Sequence, residues 1–176
     1  MKKIFKLIKN IILSLNLLFS LSSCDLFKSD DEIIRDNVMH FVKALDTKNK
    51  EEVKSYFAKN KIKDIAVFDQ SIDELFDYYQ GEYMSYNYGG SAKYKDGDYN
   101  FRSINYQYPI DIKTDIENYR MYFNWYIEYT TDKDMIGIWS FYILKKKDDP
   151  NSTYSYWGDG LNTPGINIGK IDERDE

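Results

Sequence analysis

The 176-residue chain is poor in the residues that carry most enzymatic and metal chemistry: it has one cysteine, one histidine and three prolines. A single thiol cannot close a disulfide within the chain. One histidine without thiolate partners leaves a zinc site to be built almost wholly from carboxylates, which is unfavourable. No cofactor is implied. His-Glu-x-x-His, Gly-x-Ser-x-Gly, Ser-x-x-Lys and a phosphate-cradling glycine loop are all missing. Asp96-Gly97-Asp98-Tyr99-Asn100 starts like a calcium loop. That loop needs Gly at its sixth place and Glu at its twelfth, where Phe101 and Gln107 stand. Positive charge is also in deficit, with 24 Lys and Arg against 29 Asp and Glu. An acidic body offers nucleic acid no basic patch. No apolar run reaches the ~20 residues of a spanning helix.

What is present begins at the amino terminus. Lys2, Lys3, Lys6 and Lys9 precede an apolar run from Ile11 to Leu21, and Leu21-Ser22-Ser23-Cys24 follows. A charged, then apolar, then small-residue order is that of an export signal. With Cys24 after the small pair, the site resembles the lipobox of bacterial lipoproteins. The expectation is cleavage between Ser23 and Cys24 and a diacylglyceryl thioether on Cys24. That makes 1–23 a signal peptide and 24–30 a lipidated cysteine with a polar spacer. The signal carries four Lys and no acid, so the mature chain would carry −9 against −5 for the precursor. Anionic lipid would repel such a body, so the acyl chains must do the anchoring, two being enough for a stable attachment. The expected location is the extracytoplasmic face of the cell membrane.

The remainder, 31–169, is long enough for one core, with an acidic frayed tail at 170–176. Ile33, Ile34, Val38, Phe41, Val42 and Leu45 recur at helical spacing and predict a helix over Asp31 to Asp46. Asn49 is an N-cap for a second helix, Lys50 to Lys59. Ser71 and Glu74 fit a capping box opening a third helix that closes near Gly81. Beyond Glu82 the pattern alternates with period two. It predicts four strands: Tyr83 to Tyr94 with a break at Gly89-Gly90, Tyr99 to Ile112, Tyr119 to Thr131, and Met135 to Lys146. Asp96-Gly97 suits a tight hairpin turn. Alternation puts Ile104, Tyr106, Tyr108 and Ile110 on one face, Met121, Phe123, Trp125 and Ile127 on one face, and Trp139, Phe141 and Ile143 on one face. Pro164 to Ile168 returns to the domain edge. Asn151-Ser152-Thr153 is a glycosylation sequon without default meaning in such a context. The fold class is α+β, with helices on one face of a curved antiparallel sheet of about four strands.

Helix, turn, Lys50-Glu51-Glu52-Val53-Lys54-Ser55-Tyr56-Phe57, a third helix and long antiparallel strands resemble the nuclear transport factor 2-like (cystatin-like) superfamily. Tyr119 to Phe123, Ile136-Gly137-Ile138-Trp139-Ser140 and Pro164-Gly165-Ile166 resemble, more narrowly, an uncharacterised lipoprotein family of low-GC Gram-positive bacteria, domain-of-unknown-function family 5104. The resemblance implies a conical fold whose sheet wraps the first helix, and it supplies no activity. Enzymes of the superfamily use Asp or His bases with Tyr donors in an apolar pocket. The corresponding candidate pocket here is His40, Tyr106, Tyr108, Trp125 and Trp139, between the first helix and the sheet, with no catalytic residue assigned. The expected role is non-catalytic binding of a small molecule, a peptide or a cell-wall component. The alternatives are a small-molecule isomerase or hydrolase using that pocket, and an immunity lipoprotein that intercepts a toxin.

Overall fold

A computed structural model describes residues 28–62, 65–149 and 156–171. The signal peptide, Cys24, the sequon and residues 172–176 of the tail lie outside the described residues. The chain divides into two units, residues 1–37 and 38–176.

In the first unit the described segment opens helix α1 (Asp30–Asp46). A capping box starts it, formed by Ser29 and Glu32. The Glu32 N–H donates to Ser29 Oγ, and the Ser29 N–H donates to Glu32 Oε2 at 2.8 Å. The Ser29 backbone and side-chain bonds hold the Glu32 carboxyl below its ordinary range.

In the second unit α1 ends in the turn at Lys48, and α2 (Lys50–Ser55) follows. Asn49 caps it as expected, its side chain accepting from the Glu52 N–H at 3.2 Å. The helix stops earlier than Lys59 because the chain leaves to pair with the sheet. Ile138 N–H donates to Tyr56 O at 2.8 Å and Ala58 N–H donates to Ile138 O at 3.0 Å. Helix α3 (Ile65–Tyr78) begins well before Ser71. Ser71 is therefore no cap: inside the helix, its hydroxyl donates back to Val67 O. The side chain simply has a nearer acceptor one turn earlier.

The sheet has six strands rather than four: β1 (Tyr83–Tyr88), β2 (Ala92–Gly97), β3 (Arg102–Thr114), β4 (Asn118–Tyr129), β5 (Gly137–Lys145) and β6 (Gly165–Ile168). It is open, ordered β1-β3-β4-β5-β6, with β2 also paired to β3. Two physical causes raise the count. Gly90, at φ +101°, breaks the first expected strand. Its halves then pair antiparallel with successive stretches of the long β3. The Pro164 to Ile168 return is itself a strand, β6, lying parallel to β5. The β2–β3 turn is not built on Asp96-Gly97. Gly97 pairs with Arg102, and Asp98 makes the turn, accepting from the Asn100 and Phe101 N–H groups at 2.8 and 3.0 Å.

Both faces of the central strands are covered. On one, Phe41 of α1 is fully buried, its ring 5.3 Å from Phe123, 5.0 Å from Phe141 and 6.1 Å from Phe57. On the other, Tyr122 and Tyr142 pack with Leu144 and Tyr156 under the segment beyond residue 156. The Tyr142 hydroxyl donates to Asp159 Oδ1 at 2.7 Å. Arg120, buried on this side, donates to Asp149 Oδ2 at 2.5 Å and faces Asp111. Desolvation pushes the phenols of Tyr122, Tyr142 and Tyr156 well above their usual range, so they act as neutral donors.

Candidate functional site

Two irregularities at one end of the sheet set the site. Ile104 pairs with Glu128 and Asn105 with Tyr126, which leaves Ile127 as an extra residue in β4. Asn124 pairs with Ser140 and Trp125 with Ile138, which leaves Trp139 as an extra residue in β5. A bulged residue breaks strict alternation and re-aims its side chain. Without the second bulge Trp139 would share the face of Phe141. With it, the indole joins the opposite face, its ring 5.9 Å from that of Tyr126.

On that face lies a depression of about 360 Å³. Its lining follows period two across four neighbouring strands: Tyr94 and Asp96 from β2, Ser103, Asn105 and Gln107 from β3, Asn124 and Tyr126 from β4, and Trp139 from β5, with Asn162 closing one side. Asn105 Nδ2 donates to Asn124 Oδ1 at 2.8 Å. Asn105 Oδ1 has no hydrogen-bond partner among the described residues. Burial raises the Tyr126 phenol, a shift that the adjacent Tyr129 reinforces and a hydrogen bond with Asn105 partly offsets. Lys61 places Nζ 3.3 Å from the centre of the Trp139 ring, a cation–π geometry. The groove therefore has aromatic walls and a floor of uncharged amides. Its one charged lining group is Asp96.

The residues expected to form a pocket between helix and sheet are separated. Tyr106, Tyr108 and Trp125 do share the helix-facing side, at 4, 0 and 6 % exposure. There they are packed: Tyr88 stacks on Tyr108 with centroids 4.5 Å apart, and Trp125 meets the Tyr56 ring at 5.9 Å. Trp139 lies on the other face. His40 is exposed and lines a different, open depression with Lys43, Thr47, Asn49 and Glu52. No groove residue other than Trp139 belongs to the expected pocket, which follows the apolar parity of each strand. The complementary positions of β3, Ser103, Asn105 and Gln107, carry the signal: amides and a hydroxyl stand where a solvated face usually bears Lys or Glu.

Among the described residues no cluster of three or more His, Cys, Asp or Glu side chains could hold a metal ion. No helix among them is long and apolar enough to cross a membrane. A family model for a domain of unknown function, DUF5104, matches residues 40–146. The chain belongs to the DUF5104 family. That span takes in β1 to β5 and with them every groove residue except Asn162. It also includes His40 and the packed aromatic layer around Phe41. No curated protein matches the chain.

Proposed function

We propose that this DUF5104 protein is a lipid-anchored, extracytoplasmic binding module, without catalysis of its own, whose ligand sits in the groove around Trp139. The observation that carries the binding reading is the convergence of three aromatic rings and four carboxamides on one concave patch. Binding sites are commonly concave surfaces with apolar walls and a few placed polar groups. The helix-facing side supports this choice of face, because Tyr106, Tyr108 and Trp125 there already serve as core.

The anchoring half of the proposal rests on Lys2 to Cys24 and on Cys24 being the sole thiol. The nuclear transport factor 2-like cone is proposed as the finer fold, supported by long antiparallel β3, β4 and β5 and by Phe41 seated on Phe123 and Phe141.

Each half has its own test. Cells expressing the Cys24→Ala chain should fail to incorporate labelled palmitate and should release the protein or accumulate its precursor. Equal membrane retention and processing in that variant would overturn the anchor. For binding, ligand-observed NMR with a mixed library of sugars, peptides and metabolites should find compounds that the full chain saturates and the Trp139→Ala chain does not. A library in which no compound discriminates the two chains would overturn the groove.

A further inference from the structure

The groove's chemistry narrows its ligand class, an inference that rests on the binding reading above. We propose that the groove takes an uncharged glycan, with a pyranose ring lying on the face of the Trp139 indole opposite Lys61 and its hydroxyls facing the amides of Asn105, Gln107 and Asn124. Four observations count against other chemistries in turn. An anionic ligand finds no cation among the lining residues and is repelled by Asp96; the Lys61 ammonium over Trp139 keeps its charge, which is why phosphate is among the probes. A cationic ligand finds one carboxylate, Asp96, on an exposed strand where water screens it. An apolar ligand would strip water from a floor of amides and offer no hydrogen bond in return, which costs free energy for every such group. A depression of about 360 Å³ is at the small end of ligand sites, and it is partly open rather than enclosed. That suits a short stretch of polymer better than an enclosed metabolite.

A sugar matches what remains. Each carboxamide offers a donor and an acceptor in one plane, the pairing that neighbouring hydroxyls require. The Asn105–Asn124 bond fixes two of the amides relative to each other, so little ordering is left for the ligand to impose. Asn105 Oδ1 is buried and accepts no hydrogen bond from the described residues. The C–H faces of a pyranose are apolar while its rim is polar. Trp139 and Tyr126 stand 65° apart in plane, so a ring seated on one indole face meets the edge of the other aromatic as a wall. The bulge that turns Trp139 outward would then be a device of the site.

The test uses the full chain in a detergent without a sugar headgroup. Saturation-transfer NMR is run with N,N′-diacetylchitobiose, cellobiose and tetra-alanine as probes, and phosphorus-line broadening is followed for inorganic phosphate. The expected result is saturable transfer to the C–H protons of at least one disaccharide, none to tetra-alanine, and no broadening of the phosphate line. Affinity should fall at least tenfold in Trp139→Ala and in Asn105→Ala/Asn124→Ala. It should recover in part in Trp139→Tyr and be unchanged in Trp157→Phe, whose indole lies outside the groove. Circular dichroism confirms that each variant is folded. If tetra-alanine or phosphate binds in a Trp139-dependent way and neither sugar does, the glycan assignment is overturned and the groove stands. If both disaccharides bind but no groove variant weakens them, the assignment of this site is overturned. If no probe binds, the glycan class is overturned, and the wider library then decides the groove.

Discussion

Replacing each buried or half-buried tryptophan in turn distinguishes the two faces of the sheet. Trp125 is 6 % exposed, pairs with Tyr106 and Ile138, and packs on Tyr56. Trp125→Ala should therefore cost the ~3–5 kcal/mol of a large aromatic removed from a core. Trp139 is only half-buried. Its identifiable contacts are the Lys61 ammonium, a cation–π pair worth ~0.5–1 kcal/mol, and the Tyr126 ring, worth ~0.5–1.5 kcal/mol. Trp139→Ala should then cost about 1–2.5 kcal/mol from these two contacts. The gap of about 2 kcal/mol is roughly thirtyfold in the folding equilibrium. Urea unfolding followed by circular dichroism at equal m-values measures both numbers. Strict period-two alternation would put both indoles with Phe123 and Phe141 in the core and make the two losses alike. Equal losses, or a larger one for Trp139, would refute the bulge and every inference drawn from the outward indole.

Three further outcomes follow from other parts of the fold. Gly137 sits at φ +125°, and a Cβ there would stand 2.8 Å from Tyr56 O and Ala58 N. Gly137→Ala should destabilise by more than the ~1–3 kcal/mol of backbone strain alone, read as a lowered urea midpoint. Arg120→Ala removes the buried partner of Asp149, whose side chain is also 6 % exposed. It should cost about 3–5 kcal/mol, whereas Lys50→Ala, which breaks an exposed pair with Asp73, should cost under ~1 kcal/mol. Asp159 titrates with the packing of the carboxyl-terminal segment. Burial raises its carboxyl, but bonds from Tyr142, Thr163 and Leu161, with Lys170 nearby, outweigh that and hold it below its ordinary 3.8. A depressed folded pKa stabilises the fold above the unfolded value, and that contribution is lost as pH falls through the folded one. Stability should drop on acidification below about pH 4, with loss of near-ultraviolet signal from the Tyr122–Trp157 contact. Asp159→Asn should flatten that limb.

The elements read most easily from sequence are those held by local chemistry. The Phe41 stripe of α1, the Asn49 cap and the strands β3 to β5 are legible because a period or a single side chain determines each. What escaped reading depends on partners far away in the chain. The early end of α2 follows from pairing with Ile138, some eighty residues on. Ser71 looked like a cap because its own spacing was right, but the helix preceding it satisfies the hydroxyl internally. The break at Gly89-Gly90 was visible as a break. That both halves would use the same edge of β3 depends on the length of β3 and not on any residue in β1 or β2. The site was legible only by its negative image: the apolar parity of β3 was read, and the amides on the other parity are the groove floor.

The bulge at Trp139 ties that groove to the rest of the fold. Ile138 gives its N–H to Tyr56 O and its C=O to Ala58, and so is held as a strand partner of the chain leaving α2. Phe57 between them packs on Phe41 and Phe68, which fixes the leaving segment to the core. The preceding Gly137 admits this backbone because it has no Cβ. On the other side, Ser140 must regain register with Asn124 so that Phe141 can meet Phe123. Two registers, one imposed from each end of this short stretch, differ by a single residue, and Trp139 absorbs the difference. Its outward aim is therefore set by core contacts on the opposite face. A loosening of the Phe57–Phe41 packing should disturb the groove before it disturbs the far end of the sheet. In Phe57→Leu, amide exchange should rise first at Ile138 and Trp139, while the paired Ile110 and Met121 amides stay protected.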